Sequence, residues 1–249
     1  MNFFSIFKRN LIFKLKKKIN VDTDNFEKNV GFEKLFSFYK TDKAKFIEED
    51  NILGHGFSEF YENHFSKLKY KKLKILEIGS YSGASAAAFV KYFPNASIYC
   101  LDINLTKFIY KSNQIFPFGI DITNYKMIEK FLRKIEFKKN ISFFDIIIDD
   151  GSHILSHQLK SLNYFFKLVK KGGYYVVEDY KFPEYFKHLK DVPEFTMGET
   201  IKNIKKRINI NSNIINSETH NSLKKNILGV FEYKGKKDIS DIMFIEKLY

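Results

Sequence analysis

The sequence predicts an α/β protein: a doubly wound, mostly parallel sheet of seven strands that closes on an antiparallel C-terminal strand pair. Three observations carry this expectation. Short apolar runs alternate with segments of helical spacing between residues 74 and 180. The apolar runs end in glycines or acids, as strands do where an open α/β sheet meets its ligand. Beyond residue 225 the alternation stops, and "ILGVFEY" and "DIMFIEK" flank the polar turn "KGKKDIS".

The first twenty residues carry six basic groups and no acid, with Phe3, Phe7, Leu11, Leu15 and Ile19 four apart. This spacing predicts a basic amphipathic helix over 1–20, able to dock on the domain, on a second copy as a homodimer, or on a membrane surface. Lysine and arginine interrupt the apolar run and no small-residue cleavage site follows, so a secretory signal is not expected. Residues 21–72 read as a helical, aromatic-rich lead-in, with a loop around "LGHGF".

The main domain is expected over 73–249. "KILEIG" (74–79) is the first strand, and "ASAAAFVKYF" is a helix whose alanines permit close packing on a sheet. "ASIYCLDI" and "FPFGID" are the second and third strands, "NYKMIEKFLRKI" a helix, and "FFDIIID" the fourth strand. Leu155, Leu159, Leu162, Phe166 and Val169 mark a helix expected to stop at "KKGG", before "YYVVED" as the fifth strand. Residues 181–225 are polar, rich in Asn and Lys and without clear period, which predicts either a substrate lid or a disordered loop.

Composition narrows the function. A formal net charge of +13 invites an anionic partner, yet only Arg9, Arg133 and Arg207 are arginines among 42 basic residues. No Asn/Asp-Pro-Pro-aromatic stretch is present, so nucleic acid is not the expected partner; the phosphates of a sugar nucleotide suit the charge as well. A single cysteine, Cys100, excludes an intrachain disulfide and fits a reducing, cytoplasmic setting. No apolar run reaches about twenty residues, so no spanning helix is expected; the contact foreseen is peripheral, at an inner membrane.

"LEIGSYSGAS" holds Glu77, Gly79 and Gly83 at a strand-to-helix turn, where glycine lets the backbone approach a ligand and a helix N-terminus favours an anion. Tyr81 takes the place of the second glycine of a dinucleotide fingerprint, so the loop is not of that kind. Asp102 ends the second strand and Asp121 follows the third, suited to ribose hydroxyls and to an adenine amino group.

"LEIGSYSGAS", "LDI", "IDDGSH" and "KKGGYYVVED" together resemble the class I S-adenosylmethionine-dependent methyltransferases, whose sheet is Rossmann-like. The resemblance implies that Glu77, Gly79, Ser80, Gly83 and Asp102 hold the cofactor, with Asp121 at its adenine.

"DIIIDDGSH" (145–153) runs a buried strand into polar groups. Adjacent strands lie about 4.8 Å apart, so Asp149 and Asp150 are expected to meet Glu178 and Asp179 at one sheet edge. Carboxylates so gathered repel unless a hard divalent cation, Mg²⁺ or Mn²⁺, neutralises them. His153 has the basicity to take a proton from a hydroxyl near neutral pH. This arrangement is similar to the metal-dependent sugar O-methyltransferases of the macrocin and mycinamicin type. The similarity implies Asp150, Glu178 and Asp179 as metal ligands, with His153 and Asp150 catalytic.

"KTDK" (40–43) and "GHGF" (54–57) resemble a lead-in of bacterial homologues, which implies that Lys43 and His55 help close the cofactor pocket. His157, a helical turn after His153, is an alternative base or ligand. The expected reaction is O-methylation of a sugar hydroxyl, on a nucleotide-activated sugar or heptose for capsular or surface polysaccharide. The chain lacks the large N-terminal extension of the antibiotic enzymes, which favours that acceptor over a macrolide. Two alternatives stand beside it: O-methylation of a catechol or other phenol, and a non-catalytic cofactor-binding scaffold.

Overall fold

The computed structural model of the chain describes residues 3–47, 51–135 and 143–248; residues 1 and 2 of the basic segment and the side chains of Phe3 and Phe4 lie outside it. In chain order, helices α1 (Phe3–Leu15), α2 (Phe32–Phe38) and α3 (Ser58–Phe65) precede the first strand of the main sheet, β1 (Lys74–Ile78). There follow α4 (Ala84–Tyr92), β2 (Ser97–Asp102), β3 (Ile115–Gly119), α5 (Tyr125–Lys134), β4 (Phe144–Asp149), α6 (Leu155–Phe165) and β5 (Val169–Glu178). Helices α7 (Phe182–Tyr185), α8 (Met197–Lys205) and α9 (Ser217–Asn226) lead to β6 (Ile227–Lys234) and β7 (Asp241–Lys247).

The seven strands form one sheet in the order β6-β7-β5-β4-β1-β2-β3. β1 with β2, β2 with β3 and β4 with β5 pair in parallel, while β7 runs antiparallel to β5. The expected fold class is therefore observed. Pro117, which has no amide hydrogen, is tolerated because β3 is an edge strand. Among the described residues, no helix is long and apolar enough to cross a membrane.

The chain divides into two compact units, Met1–Asp121 with Lys234–Ser240, and Ile122–Tyr233 with Asp241–Tyr249. In the first, α2, α3 and α4 share an aromatic core. Phe32 stacks on Tyr92 at 3.6 Å between ring centroids, and Phe36, Tyr61 and Phe89 surround the pair, all fully buried. Glu62 ties this core together, accepting from the Tyr92 hydroxyl at 2.6 Å and the Phe32 amide at 3.1 Å. Helix α1 ends at Leu15, short of the expected residue 20, and Ile19–Asn20 instead pairs in parallel with Tyr110–Lys111.

In the second unit, Ile146, Ile148, Leu159, Leu162, Tyr175 and Phe244 form the core. Two expectations are corrected here. The glycines of "KKGG" do not end a helix: they lie inside β5, where Gly172 has φ +70° and a Cβ on Gly173 would meet the Asp145 carbonyl oxygen at 2.5 Å. The pairing of β4 with β5 shifts register at this point, and the glycines absorb the resulting irregularity. Second, the 181–225 segment is helical rather than irregular. Met197, Ile201 and Ile204 bury one stripe of α8, and Thr196 with Glu199 forms a capping box at its start.

Candidate active site

In the first unit the loop after β1 is held from both ends. Glu77 is fully buried and accepts a hydrogen bond from the Ser85 hydroxyl, which joins the strand to the first turn of α4. Gly79 (φ +85°) donates to the Leu101 carbonyl at 2.8 Å, and Gly83 (φ +78°) donates to the Ser80 carbonyl at 2.7 Å. A side chain at Gly83 would run into the buried ring of Phe108, with Cζ 2.5 Å from a Cβ.

Asp102 ties this loop to the end of β2. Its Oδ2 accepts from the Tyr81 amide at 2.8 Å and its Oδ1 from the Asn104 amide at 2.6 Å. Asp121 lies two residues past β3, next to Ile120, whose amide donates to the Asp102 carbonyl at 2.9 Å. Glu77, Gly79, Ser80, Gly83 and Asp102 thus belong to one hydrogen-bonded set of strand ends, and Asp121 follows Ile120 just beyond it. Tyr81 is 64% exposed with φ +41°, the left-handed region that a side chain enters only at a cost.

In the second unit, Asp150, His153 and Asp179 converge. Each offers one ligand atom, and these atoms lie within 4.8 Å of one another. His153 Nε2 is 3.8 Å from Asp150 Oδ1. Parallel pairing of β4 with β5 sets Asp149 opposite Val177 and brings the two strand ends level. The backbone then departs from strand geometry at His153 (φ +57°) and Asp179 (φ +49°). Left-handed non-glycine residues cost on the order of 1 kcal/mol or more each and concentrate at functional sites.

Of the expected ligands Asp150, Glu178 and Asp179, this group contains Asp150 and Asp179. Side chains alternate along a strand, so Glu178, opposite Ile242 of β7 and buried, lies on the other side of β5 from Tyr175 and Val177. Asp179 follows in the left-handed turn just past β5 and lies with Asp150 and His153. Asp149, opposite Val177, lies on the Tyr175 side. It is buried on the α6 side, where Tyr175 donates to its Oδ2 at 3.4 Å and pairs with Ser161 at 2.8 Å. Burial pushes its carboxyl up to about 6, against the opposing effect of the Ser161 hydrogen bond.

Several contributors had no clear sequence signal. The Phe182 ring packs against His153, and its amide donates to the Asp179 carbonyl at 3.0 Å, so one residue braces both sides of the cluster. Asp241 anchors the following helix by accepting from Lys181 at 3.1 Å and Tyr185 at 2.6 Å. Asp191 accepts from the Ser156 amide and hydroxyl at 3.0 and 2.7 Å, capping α6. His157 Nδ1 lies 2.7 Å from Ser152 Oγ, a contact that ties α6 to the turn before His153.

Lys43 and His55 have structural surroundings within the first unit. Lys43 is 1% exposed, and its carbonyl accepts from the Phe57 and Ser58 amides. His55 Nδ1 meets Ser240 Oγ at 3.0 Å, and its carbonyl accepts from the Lys236 amide at 2.7 Å. The two His55 bonds fasten this residue to the 234–240 turn.

No family model matches the chain. It is 33% identical over 141 residues, 51% of this chain and 33% of the relative, to 8-demethyl-8-(2-methoxy-alpha-L-rhamnosyl)-tetracenomycin-C 3'-O-methyltransferase of Streptomyces olivaceus. It is 33% identical over 156 residues, 58% of this chain and 35% of the relative, to mycinamicin VI 2''-O-methyltransferase of Micromonospora griseorubida. A third relative, demethylmacrocin O-methyltransferase of Streptomyces fradiae, is 31% identical over 132 residues, 50% of this chain and 32% of the relative. The chain therefore spans about a third of the length of the curated relatives it matches. Among solved structures it resembles the MycE methyltransferase of the mycinamycin biosynthetic pathway in complex with Mg, SAH and mycinamycin VI. The TM-score is 0.66 at 25% identity, over 88% of this chain and 55% of that one. The sheet is that of the class I methyltransferases, and the homologues are sugar O-methyltransferases of the macrocin and mycinamicin type.

Proposed function

We propose, from this kinship, that the protein is an S-adenosylmethionine-dependent, divalent-metal-dependent O-methyltransferase acting on a sugar hydroxyl. The observation that carries the proposal is the cluster of Asp150, His153 and Asp179 at the ends of β4 and β5. Two carboxylates and an imidazole within 4.8 Å of one another fit a hard divalent ion. Mg²⁺ binds through one or two carboxylates and keeps its remaining positions for water and substrate oxygens. Asp150 and Asp179 are therefore the ligands, and the softer imidazole of His153 is left for proton transfer.

The loop of the first unit fits the other group. Asp102 accepts two backbone N–H bonds, and a carboxylate has about four lone-pair sites, so it retains capacity for ribose hydroxyls. Gly79 and Gly83, both at positive φ, keep the backbone open to the methionine portion, with Glu77 and Ser80 beneath it and Asp121 at the adenine. When bound, the cofactor supplies an electrophilic methyl group and the metal ion polarises the acceptor hydroxyl. His153 accepts the hydroxyl proton at its imidazole nitrogen. Phe182 holds that ring in orientation and shields one of its sides from water.

The test is transfer of a labelled methyl group to a panel of deoxysugar glycosides and sugar nucleotides, with and without exhaustive chelation. Activity is expected to vanish on chelation and return with Mg²⁺. His153→Ala is expected to lower kcat about 10²- to 10⁴-fold with cofactor affinity unchanged. Full activity without metal, or full turnover in His153→Ala, rejects the mechanism.

For the acceptor, the charge of +13 favours a phosphate-bearing sugar, such as a nucleotide-activated sugar or heptose for a surface polysaccharide. A higher kcat/KM for the neutral glycosides of the panel than for every sugar nucleotide overturns this finer statement and leaves the sugar methylation standing.

A further inference from the structure

Helix α1 is docked on the first unit by one face only. Ile6 is buried, and the Phe13 ring meets Phe108 edge-on at 6.0 Å. Asn10 Nδ2 donates to the Gly119 carbonyl at 3.1 Å, and Arg9 donates to the Ile103 carbonyl at 3.4 Å. The approach is close, since any side chain at Gly119 would collide with Asn10. A docked helix normally turns polar residues to water. This one exposes Phe7 (62%), Leu11 (51%), Ile12 (45%) and Leu15 (82%).

The charges beside this stripe have one sign. Lys8 and Lys14 lie on the exposed side, Lys16 and Lys17 follow the helix, and the first acid of the sequence is Asp22. An apolar stripe bordered by ammonium groups matches an anionic lipid bilayer. The Phe7 ring, Ile12 and the two leucines enter the acyl boundary while the lysines reach back to the headgroups. A second copy of the chain fits worse, because pairing two such stripes brings lysine against lysine with no acid to offset them.

We propose that α1 is a membrane-surface anchor: its exposed Phe7-Leu11-Ile12-Leu15 stripe and flanking lysines bind an anionic bilayer while the opposite face holds the first unit. This goes beyond the enzymatic reading and does not depend on it.

The test is sedimentation of the full chain with vesicles of phosphatidylcholine alone or with about 30% phosphatidylglycerol. Partition is expected to rise more than about tenfold with the anionic lipid, and to fall away at about 0.5 M salt, where charge attraction is screened. Leu11→Glu with Leu15→Glu is expected to abolish it, and Lys8→Gln with Lys14→Gln to weaken it about fivefold per lysine. Circular dichroism controls for folding, which these exposed sites leave intact. Three results overturn the anchor: no preference for anionic vesicles; partition unaffected by the leucine variants; or a solution dimer that those variants split, without vesicle binding.

Discussion

The ring of Phe182 lies against the imidazole of His153, with 4.8 Å between centroids and 58° between planes. His153 is held at φ +57°, a conformation that needs support from its surroundings. Phe182 supplies that support from across the cluster, where its own amide is fixed on the Asp179 carbonyl. Phe182→Ala is therefore expected to lower kcat about tenfold through loss of ring orientation, with the KM for S-adenosylmethionine unchanged. Phe182→Leu is expected to fall between the two. Steady-state kinetics on both variants decides; equal kcat in wild type and Phe182→Ala limits the ring to packing.

The split between Glu178 and Asp179 separates two ligand assignments. Asp179 is in the cluster and Glu178 is not, although the residues are adjacent. Asp179→Asn and Asp150→Asn are each expected to weaken Mn²⁺ binding more than about tenfold, and Glu178→Gln less than about threefold. Electron paramagnetic resonance titration of free Mn²⁺ reads this without any substrate. A loss in Glu178→Gln equal to that in Asp179→Asn restores the ligand set expected from sequence.

The same pair shows where sequence reading stops. Apolar runs between turn residues place β4 and β5 and bring their acids to one sheet edge, because parallel pairing leaves little choice of register. Which acid then faces inward depends on the backbone angle at Asp179, and "VED" carries no sign of a residue at φ +49°. The glycines of "KKGG" mislead for a related reason. A glycine pair after an amphipathic run is normal helix-end chemistry, whereas here the missing Cβ of Gly173 makes room for the Asp145 carbonyl of the neighbouring strand. Helix α8 has the Thr196/Glu199 capping box and a buried stripe of Met197, Ile201 and Ile204, but its polar surroundings hide both in the sequence.

His64, in the last turn of α3, links stability to pH. Burial lowers its pKa from 6.5 to about 4, so the folded protein resists a proton that the unfolded chain accepts. Between pH 6.5 and 4 the unfolded state binds more protons, and stability must fall as pH falls through that window. The full shift corresponds to about 3 kcal/mol, and the partial exposure of the ring reduces the effect below that. Thermal melts of wild type and His64→Leu between these limits check it: the variant is expected to lose part of the slope. Parallel slopes in the two proteins assign the acid sensitivity to other groups.

The loop after β1 sets two substitutions in opposition. Gly83→Ala adds a Cβ at φ +78° against the buried Phe108 ring, so it carries both backbone strain and a steric clash. A loss of about 2–4 kcal/mol is expected, together with weaker binding of S-adenosylhomocysteine. Tyr81→Gly does the reverse for the backbone, because glycine occupies φ +41° without the penalty that tyrosine carries. The exposed ring contributes little packing, and the Tyr81 amide that donates to Asp102 remains, so stability is expected to rise by up to about 1 kcal/mol. Urea melts measure the stability change and calorimetry with S-adenosylhomocysteine the affinity. If Tyr81→Gly stabilises the fold while affinity drops, the strain at Tyr81 presents its ring to the cofactor. If affinity is unchanged, only the Tyr81 backbone serves the site, through Asp102.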